Sequence, residues 1–509
     1  MALLTVGLMR RIAVSLALLT FLELLSPASV STNVPLGHWS YDAVEKLANY
    51  GLIDSSMLTI KPLSRLEMAR HVGQALDALE LMDDAPEVLR AILERLTREY
   101  RGELIQLGVL EGTYGGSRLK PLEDPYVKYL YAGKTPELEN RRGDTFRRGS
   151  NYRAGFASRG TLWDTFAFYL HPEYAGAAEG DNDVDLIEGY GKMGLGPFEL
   201  EAGRDSLWWG PGHHGSMIMS NNARPFDMIK VSNPQPILLP WIFRVLGPVK
   251  AEWFLARLEA DRDYPHANLT GLRVNIKPHP LVELGASRVA LFGGHGTAPL
   301  DFFDYFRPLL TTARYGEQEA DGTNGADQIA GLDGSLLIPL PRNGLLRSVK
   351  FYADAAGEDA GGVFPYKWGN LWGVQFNDLF KTGRTDLRIE YADDIVPGHP
   401  YVWYTHTVYT SGYTYEGRVI GHHMGPEARD LFLQLSHYLT SDLIVDLAFD
   451  RHTHGTTGGA HATANIYEVG VTYFPSQDWQ ITGGYRFEQR SDREGGDNHI
   501  VEMGLIRRF

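Results

Sequence analysis

From Leu122 to the C-terminus the chain keeps a period of two, and that pattern restricts the fold more than any other feature of its 509 residues. Trp479, Ile481, Gly483, Tyr485 and Phe487 alternate with Gln480, Thr482, Gly484, Arg486 and Glu488. Tyr467, Val469, Val471 and Tyr473 alternate with Glu468, Gly470 and Thr472. The same holds for Leu443, Val445, Leu447 and Phe449 against Asp446 and Asp450, for Phe351 against Lys350 and Asp354, and for Trp372 and Phe376 against Gln375 and Asn377. Successive side chains on a strand point to opposite faces, so each segment has one apolar and one polar face. Alternation alone suits a sandwich with a solvated outer face as well as a barrel with a wet lumen.

Three features favour the barrel. Tyr467 and Tyr473 bracket Val469 and Val471, and Trp479 and Tyr485 lie near the ends of their strand, as interfacial girdles around an apolar band require. At roughly ten residues per strand plus turns, the alternating region makes about 18 strands, whereas soluble domains of that length split. The final strand puts Val501, Met503, Leu505 and Phe509 on one face and ends on an aromatic residue, similar to the signal by which bacterial outer-membrane barrels are recognised for assembly. Arg507 departs from that face; near an interface a long cationic chain snorkels to headgroups.

The N-terminal part has another period. Arg10 and Arg11, an apolar run from Ile12 to Leu22 and the small residues around Ser26 and Ala28 follow the order of a secretory signal, with an uncleaved anchor as the alternative. Residues 41–49, 63–81 and 86–107 carry apolar residues three and four apart and predict a small helical bundle, with Pro86 opening the third helix. The expected organisation is therefore a signal peptide over 1–30, a helical bundle over 31–121 and a barrel over 122–509. The fold class is mainly β, a transmembrane antiparallel β-barrel with a small N-terminal periplasmic α-helical bundle. The run from Pro35 through Trp39 and Tyr50 to Arg65, Glu67 and Ala69 resembles an S-layer-homology module, which implies peptidoglycan or wall-polymer binding with Trp39, Arg65 and Glu67 as candidate contacts.

The most distinctive segment is Gly203-Arg-Asp-Ser-Leu-Trp-Trp-Gly-Pro-Gly-His-His-Gly215. Arg204, Asp205, Trp208, Trp209 and His213 suit either a folded-in constriction loop or a sugar-binding platform, with rings on the apolar face of a pyranose and charged groups on its hydroxyls. A second aromatic run, from His399 to Arg429, holds Trp403, Tyr413, Tyr415, His422 and His423, and suits carbohydrate recognition or loop packing. With Tyr413-Thr-Tyr-Glu-Gly-Arg-Val-Ile-Gly-His-His-Met-Gly425 and the Trp-Trp-Gly-Pro-Gly segment, the chain resembles the capsule assembly Wzi family of outer-membrane proteins. The resemblance implies a bacterial outer-membrane protein that acts as a lectin-like anchor for exported capsular or other surface polysaccharide. A passive or selective pore and a tether between outer membrane and peptidoglycan are the alternatives. Outer-membrane lipid is the surrounding partner.

Other chemistries are set aside. With no Cys, thiol catalysis, iron–sulfur clusters and Cys-zinc sites are excluded. A net charge of −15 argues against nucleic-acid binding. The residues from Asp181 to Asp185 begin like a calcium loop, but Leu186 and Lys192 stand where Gly and Glu are required. His213–His214 and His422–His423 are adjacent pairs, and neighbours on a strand face opposite ways, so neither makes a site alone. His452, His454 and His461 lack a carboxylate at ligand spacing. No cofactor, metal or enzymatic activity is expected.

Overall fold

A computed structural model describes residues 28–508 except 83, 179, 181, 298, 311–325, 342, 361–364, 456–461 and 492–495. Residues 1–27 of the expected signal, Asp181, His461 and the terminal Phe509 lie outside the described residues.

The alternating region closes into a barrel of eighteen antiparallel staves. In chain order they are β1 (Arg118–Ala132), β2 (Gly149–Leu162), β3 (Phe166–Ala177), β4 (Asp183–Leu195), β5 (Phe198–Asp205) and β6 (Phe226–Ser232, continued by Ile237–Leu238). Then come β7 (Pro248–Arg257), β8 (Asn268–His279), β9 (Val282–Phe292), β10 (Asp327–Pro339), β11 (Ser348–Ala360) and β12 (Pro365–Asn377). The last six are β13 (Thr385–Asp393), β14 (Ala428–Tyr438), β15 (Leu443–His454), β16 (Ala462–Ser476), β17 (Trp479–Arg490) and β18 (Asn498–Arg507). β18 pairs back onto β1, Tyr126 opposite Ile506 and Tyr131 opposite Val501, so the sheet has no free edge. β1 opens at Arg118, ahead of the alternation, because bulges around Glu123 break its period.

The polar faces point inward. On β17, Ile481 and Tyr485 are each 43% exposed, whereas Gln480 and Glu488 are 7% and 0% exposed. Tyr467, Leu447, Phe351, Trp372, Met503 and Leu505 also face outward. Inward charges pair across the wall: Lys230 Nζ lies 3.1 Å from Glu201 Oε1, and Arg273 Nη1 lies 2.7 Å from Asp333 Oδ2. An apolar exterior around a paired, polar interior is the membrane-spanning arrangement, in which closure satisfies every ladder group without water. Among the described residues no helix is long and apolar enough to cross a membrane, so the crossing belongs to the strands. Arg507 places its guanidinium 5.5 Å from the centre of the Trp479 ring.

Four helices, α1 (Ser40–Tyr50), α2 (Arg65–Glu80), α3 (Glu87–Glu99) and α4 (Arg101–Gln106), form the N-terminal bundle. Ser64 and Glu67 cap α2 reciprocally. The expected third helix is broken at Tyr100, whose φ of −103° leaves the helical region, and Pro86 caps α3 from outside. Val44, Leu47, Met68, Val72, Leu89 and Leu96 make the bundle core. The bundle docks at the short-turn end of the barrel: Lys46 Nζ meets Asp386 Oδ2 at 2.6 Å, Asn49 Nδ2 donates to Gln375 Oε1 at 3.1 Å, and Arg159 Nη1 meets Glu103 Oε1 at 3.3 Å.

Candidate functional site

Residues 206–225, between β5 and β6, form a strap across the lumen. Gly210 turns it with φ +121°, and a Cβ there would lie 3.0 Å from Asp354 Oδ2. Trp208 and Trp209 make a two-residue antiparallel ladder with Lys61 and Ile60 of the N-terminal segment. Farther on, Met217 N donates to Asp354 Oδ2 on β11 at 3.0 Å, and the Glu390 carboxylate on β13 accepts from the backbone of His213 at 2.8 Å and of His214 at 2.6 Å. His214 then reaches Asp430 on β14 and Asp450 on β15. In a ring of eighteen, β14 stands nine places from β5, so the strap spans the barrel to its opposite wall.

Residues 394–427 fold down onto the strap. Tyr404 Oη donates to Met217 O at 2.7 Å and accepts from His422 N at 2.9 Å, and Tyr413 Oη donates to Ile218 O at 3.1 Å. Ser220 N donates to Ile420 O at 2.9 Å. Arg262 ties the loop from the side through Gly412 O at 3.1 Å. Burial holds the Tyr404 and Tyr413 phenols well above their ordinary range.

This arrangement revises the reading of the rings as an open sugar platform. Trp209 is 1% exposed, with its indole N–H donated to Glu252 Oε1 at 2.8 Å and its ring edge-on to Phe254. Trp403, Tyr413, Tyr415 and His422 are buried in the same core. Trp208 is buried beneath the Lys61 ammonium, 5.9 Å from its ring. Their faces are covered by protein because both loops turn inward. Asp205 is also buried, accepting from Asn33 Nδ2 at 2.7 Å. Arg204 stays half-buried in a bidentate pair with Asp227 at 2.9 Å, and half-buried His213 lines a luminal cavity.

The wall-binding candidates are likewise turned inward. Arg65 donates to Glu99 Oε1 at 2.7 Å and Glu103 Oε1 at 3.0 Å, Glu67 caps α2 and pairs with Lys250 of β7, and Trp39 packs edge-on against Phe474 under Arg508. Burial works against ionisation of Glu99 and Glu103, but the adjacent Arg65 guanidinium overrides it and lowers both carboxyls to about 2. Arg65 and Glu67 thus build and dock the bundle, while half-buried Trp39 faces a luminal cavity.

One histidine of each adjacent pair, unpromising one pair at a time, is brought to the other. The rings of His214 and His423 stand 4.5 Å apart at 78°, above Asp430 and Asp450. Sequence spacing could not find this cluster, since its members come from four separate segments. Glu252, Asp354 and Glu390, which hold the strap, were missed for a similar reason: an inward carboxylate on a wet face looks the same whether it meets water or a backbone amide.

The family model described as "Capsule assembly protein Wzi" matches residues 131–495. A Klebsiella pneumoniae protein described as an uncharacterized 55.8 kDa protein in the cps region is 28% identical over 228 residues, 44% of this chain and 43% of that one. The chain thus matches less than half the length of that curated relative. Among solved structures, Escherichia coli Wzi, described as an outer membrane protein involved in group 1 capsule assembly and a carbohydrate-binding β-barrel, superposes with a TM-score of 0.71 at 19% identity. That match covers 94% of this chain and 99% of the other, and establishes a common fold. With a closed barrel, a docked helical bundle and a family model that spans most of its length, the chain belongs to the Wzi family of capsule assembly proteins.

Proposed function

We propose that this protein acts in the bacterial outer membrane as a non-catalytic capsule assembly protein, which binds exported capsular polysaccharide at its long-loop end and anchors it on the cell surface. The observation that carries the reading is the obstruction of the lumen. The bundle occupies the short-turn end and the strap crosses from β5 to β14, an arrangement suited to holding a ligand rather than passing one. Family membership supports the capsule role, and the carbohydrate binding described for the E. coli protein supports the ligand class.

The contacts we assign are polar. A cleft of about 220 Å³ at the long-loop end is lined by Asp144, Thr145, Arg147, Asn151, Asp185 and Arg224, with Arg204 nearby on Asp185. Fixed arrays of guanidinium, amide and carboxylate groups match the hydroxyls and acidic groups of a glycan. The buried rings of Trp208, Trp209, Trp403, Tyr413 and Tyr415 support the strap, which supplies Arg224 to the cleft.

The test is binding of capsular polysaccharide to the full-length protein in detergent, together with capsule retention in a deletion strain. Loss of charge-assisted bonds in Arg147→Ala/Arg224→Ala should weaken binding by about tenfold or more. Retention unchanged by deletion would sink the proposal, and a steady conductance of the wild type in planar bilayers would favour the pore.

A further inference from the structure

The cluster beneath the strap has a donor set that its role as a loop contact does not explain. We propose that His214, His423, Asp430 and Asp450 bind a first-row divalent cation, with Zn²⁺ the best match, and that the cation rivets both inward loops to the barrel wall.

The four donor atoms lie within 4.8 Å of one another. His423 Nε2 is 2.9 Å from Asp430 Oδ2, and His214 Nε2 is 3.5 Å from Asp450 Oδ2 and 3.9 Å from Asp430 Oδ2. A tetrahedral ion with bonds of about 2.0–2.2 Å sets its donors roughly 3.3–3.6 Å apart, so the cluster is close to the required size.

The second observation is the lack of hydrogen bonds. Both ring nitrogens of His423, Nε2 of His214, Oδ2 of Asp430 and both carboxylate oxygens of Asp450 are buried without a hydrogen-bond partner. Even the 2.9 Å approach of His423 to Asp430 lacks hydrogen-bond alignment. The His423 and Asp430 side chains are each 3% exposed, and the Asp450 side chain 5%. Buried polar atoms are nearly always paired, and several orphans aimed at one point indicate an absent common partner. A divalent cation would satisfy them together and neutralise the two carboxylates.

The surroundings fix the donors. The Phe432 ring stacks on His214 at 3.9 Å, Glu390 holds the His214 backbone, and His422 stacks on His423 at 4.5 Å. His452 Nδ1, also unpartnered, lies 3.5 Å from Asp450 Oδ2 as a further donor or orienting group. Two imidazoles with two carboxylates suit Zn²⁺ and its neighbours, whereas Ca²⁺ and Mg²⁺ take oxygen shells. One ion here would join the strap, the aromatic loop, β14 and β15. The inference does not rest on the polysaccharide reading.

The experiment uses full-length protein in detergent, stripped with a chelator, dialysed and titrated with Zn²⁺, with Co²⁺ as a spectroscopic probe. We expect one equivalent per chain, visible absorption from low-coordinate Co²⁺ and a higher unfolding temperature with Zn²⁺. His423→Ala and the near-isosteric Asp430→Asn should weaken binding by about tenfold or more, and His279→Ala, at the opposite end, should not. Heat-modifiable gel migration reports whether each barrel has folded. Failure of the folded wild type to take up Zn²⁺ or Co²⁺ overturns the proposal, as does unchanged affinity in folded Asp430→Asn. If His423→Ala does not fold, Asp430→Asn and the wild-type titration still decide.

Discussion

Trp209 and Ile60 face each other across a two-residue ladder, so the strap that crosses the barrel is stitched to the segment that carries the helical bundle. Gly210 N extends the stitch by donating to Thr59 O at 2.8 Å, and Thr59 N in turn donates to Glu283 of β9 at 3.3 Å. Plug, strap and wall are one connected body.

Replacing Trp209 by Ala should act on stability first. The ring is 1% exposed, and loss of a buried Trp costs about 3–5 kcal/mol. Thermal unfolding in detergent should show a lower midpoint and easier proteolysis of the strap. An unchanged midpoint with abolished glycan binding would instead make the ring a ligand contact.

Lys250 and Glu67 join β7 to α2 as a buried pair. Lys250→Ala strands the Glu67 carboxylate and should cost about 3–5 kcal/mol, whereas Lys250→Met with Glu67→Gln, which keeps an oxygen for the Ser64 amide, should recover most of it. Limited proteolysis of the bundle reads the difference. Equal damage in the single and double variants would show that the charges themselves are needed.

Acid should loosen the bundle in two steps. His71, lowered to about 4 by burial, binds its proton only in the unfolded chain between about pH 6.5 and 4, so stability falls as pH drops through that window. Glu99 and Glu103, lowered from 4.5 to about 2 against the cost of burial by Arg65, contribute fully above pH 4.5, and their contribution is lost as pH falls toward 2. The first step is worth on the order of 1–3 kcal/mol and should vanish in His71→Met. Chemical denaturation followed by the helical circular dichroism signal across this range checks both.

Gly215 permits the close seating of His422, because a Cβ there would fall 2.2 Å from the imidazole. Gly215→Ala should therefore shift the aromatic loop and cost about 1–3 kcal/mol by overpacking. Retention of the wild-type unfolding midpoint would show that the loop yields freely at this point.

What could be read in advance follows from physical periodicity. Gln480 and Glu488 inside, with Ile481 and Tyr485 outside, repeat what the alternation required, since a two-residue period places side chains without reference to anything distant. The bundle was legible for the same reason, because Leu89, Ile92 and Leu96 share a helical face. Tyr100 was not, as a one-residue departure from helical φ leaves no mark on the apolar stripe.

The candidate site divides along the same line. The sequence marked the Trp208–Trp209 segment and the 399–429 run as special, but aromatic density is equally consistent with an open platform and with a buried core. Which applies depends on whether the loops point outward or fold into the lumen, a matter of contacts such as Trp209 with Glu252 and Tyr404 with Met217. The sequence by itself pointed to a closed barrel with a helical module, because alternation together with aromatic girdles, strand number and the terminal strand marks the first and helical spacing marks the second. Only the tertiary structure decided that the strap reaches the far wall, that Arg65 and Glu67 pair within the bundle and with its dock, and that His214 and His423 from distant segments meet above Asp430 and Asp450. Such meetings are set by the closure of the ring, which brings β5 opposite β14, and no spacing along the chain encodes that distance.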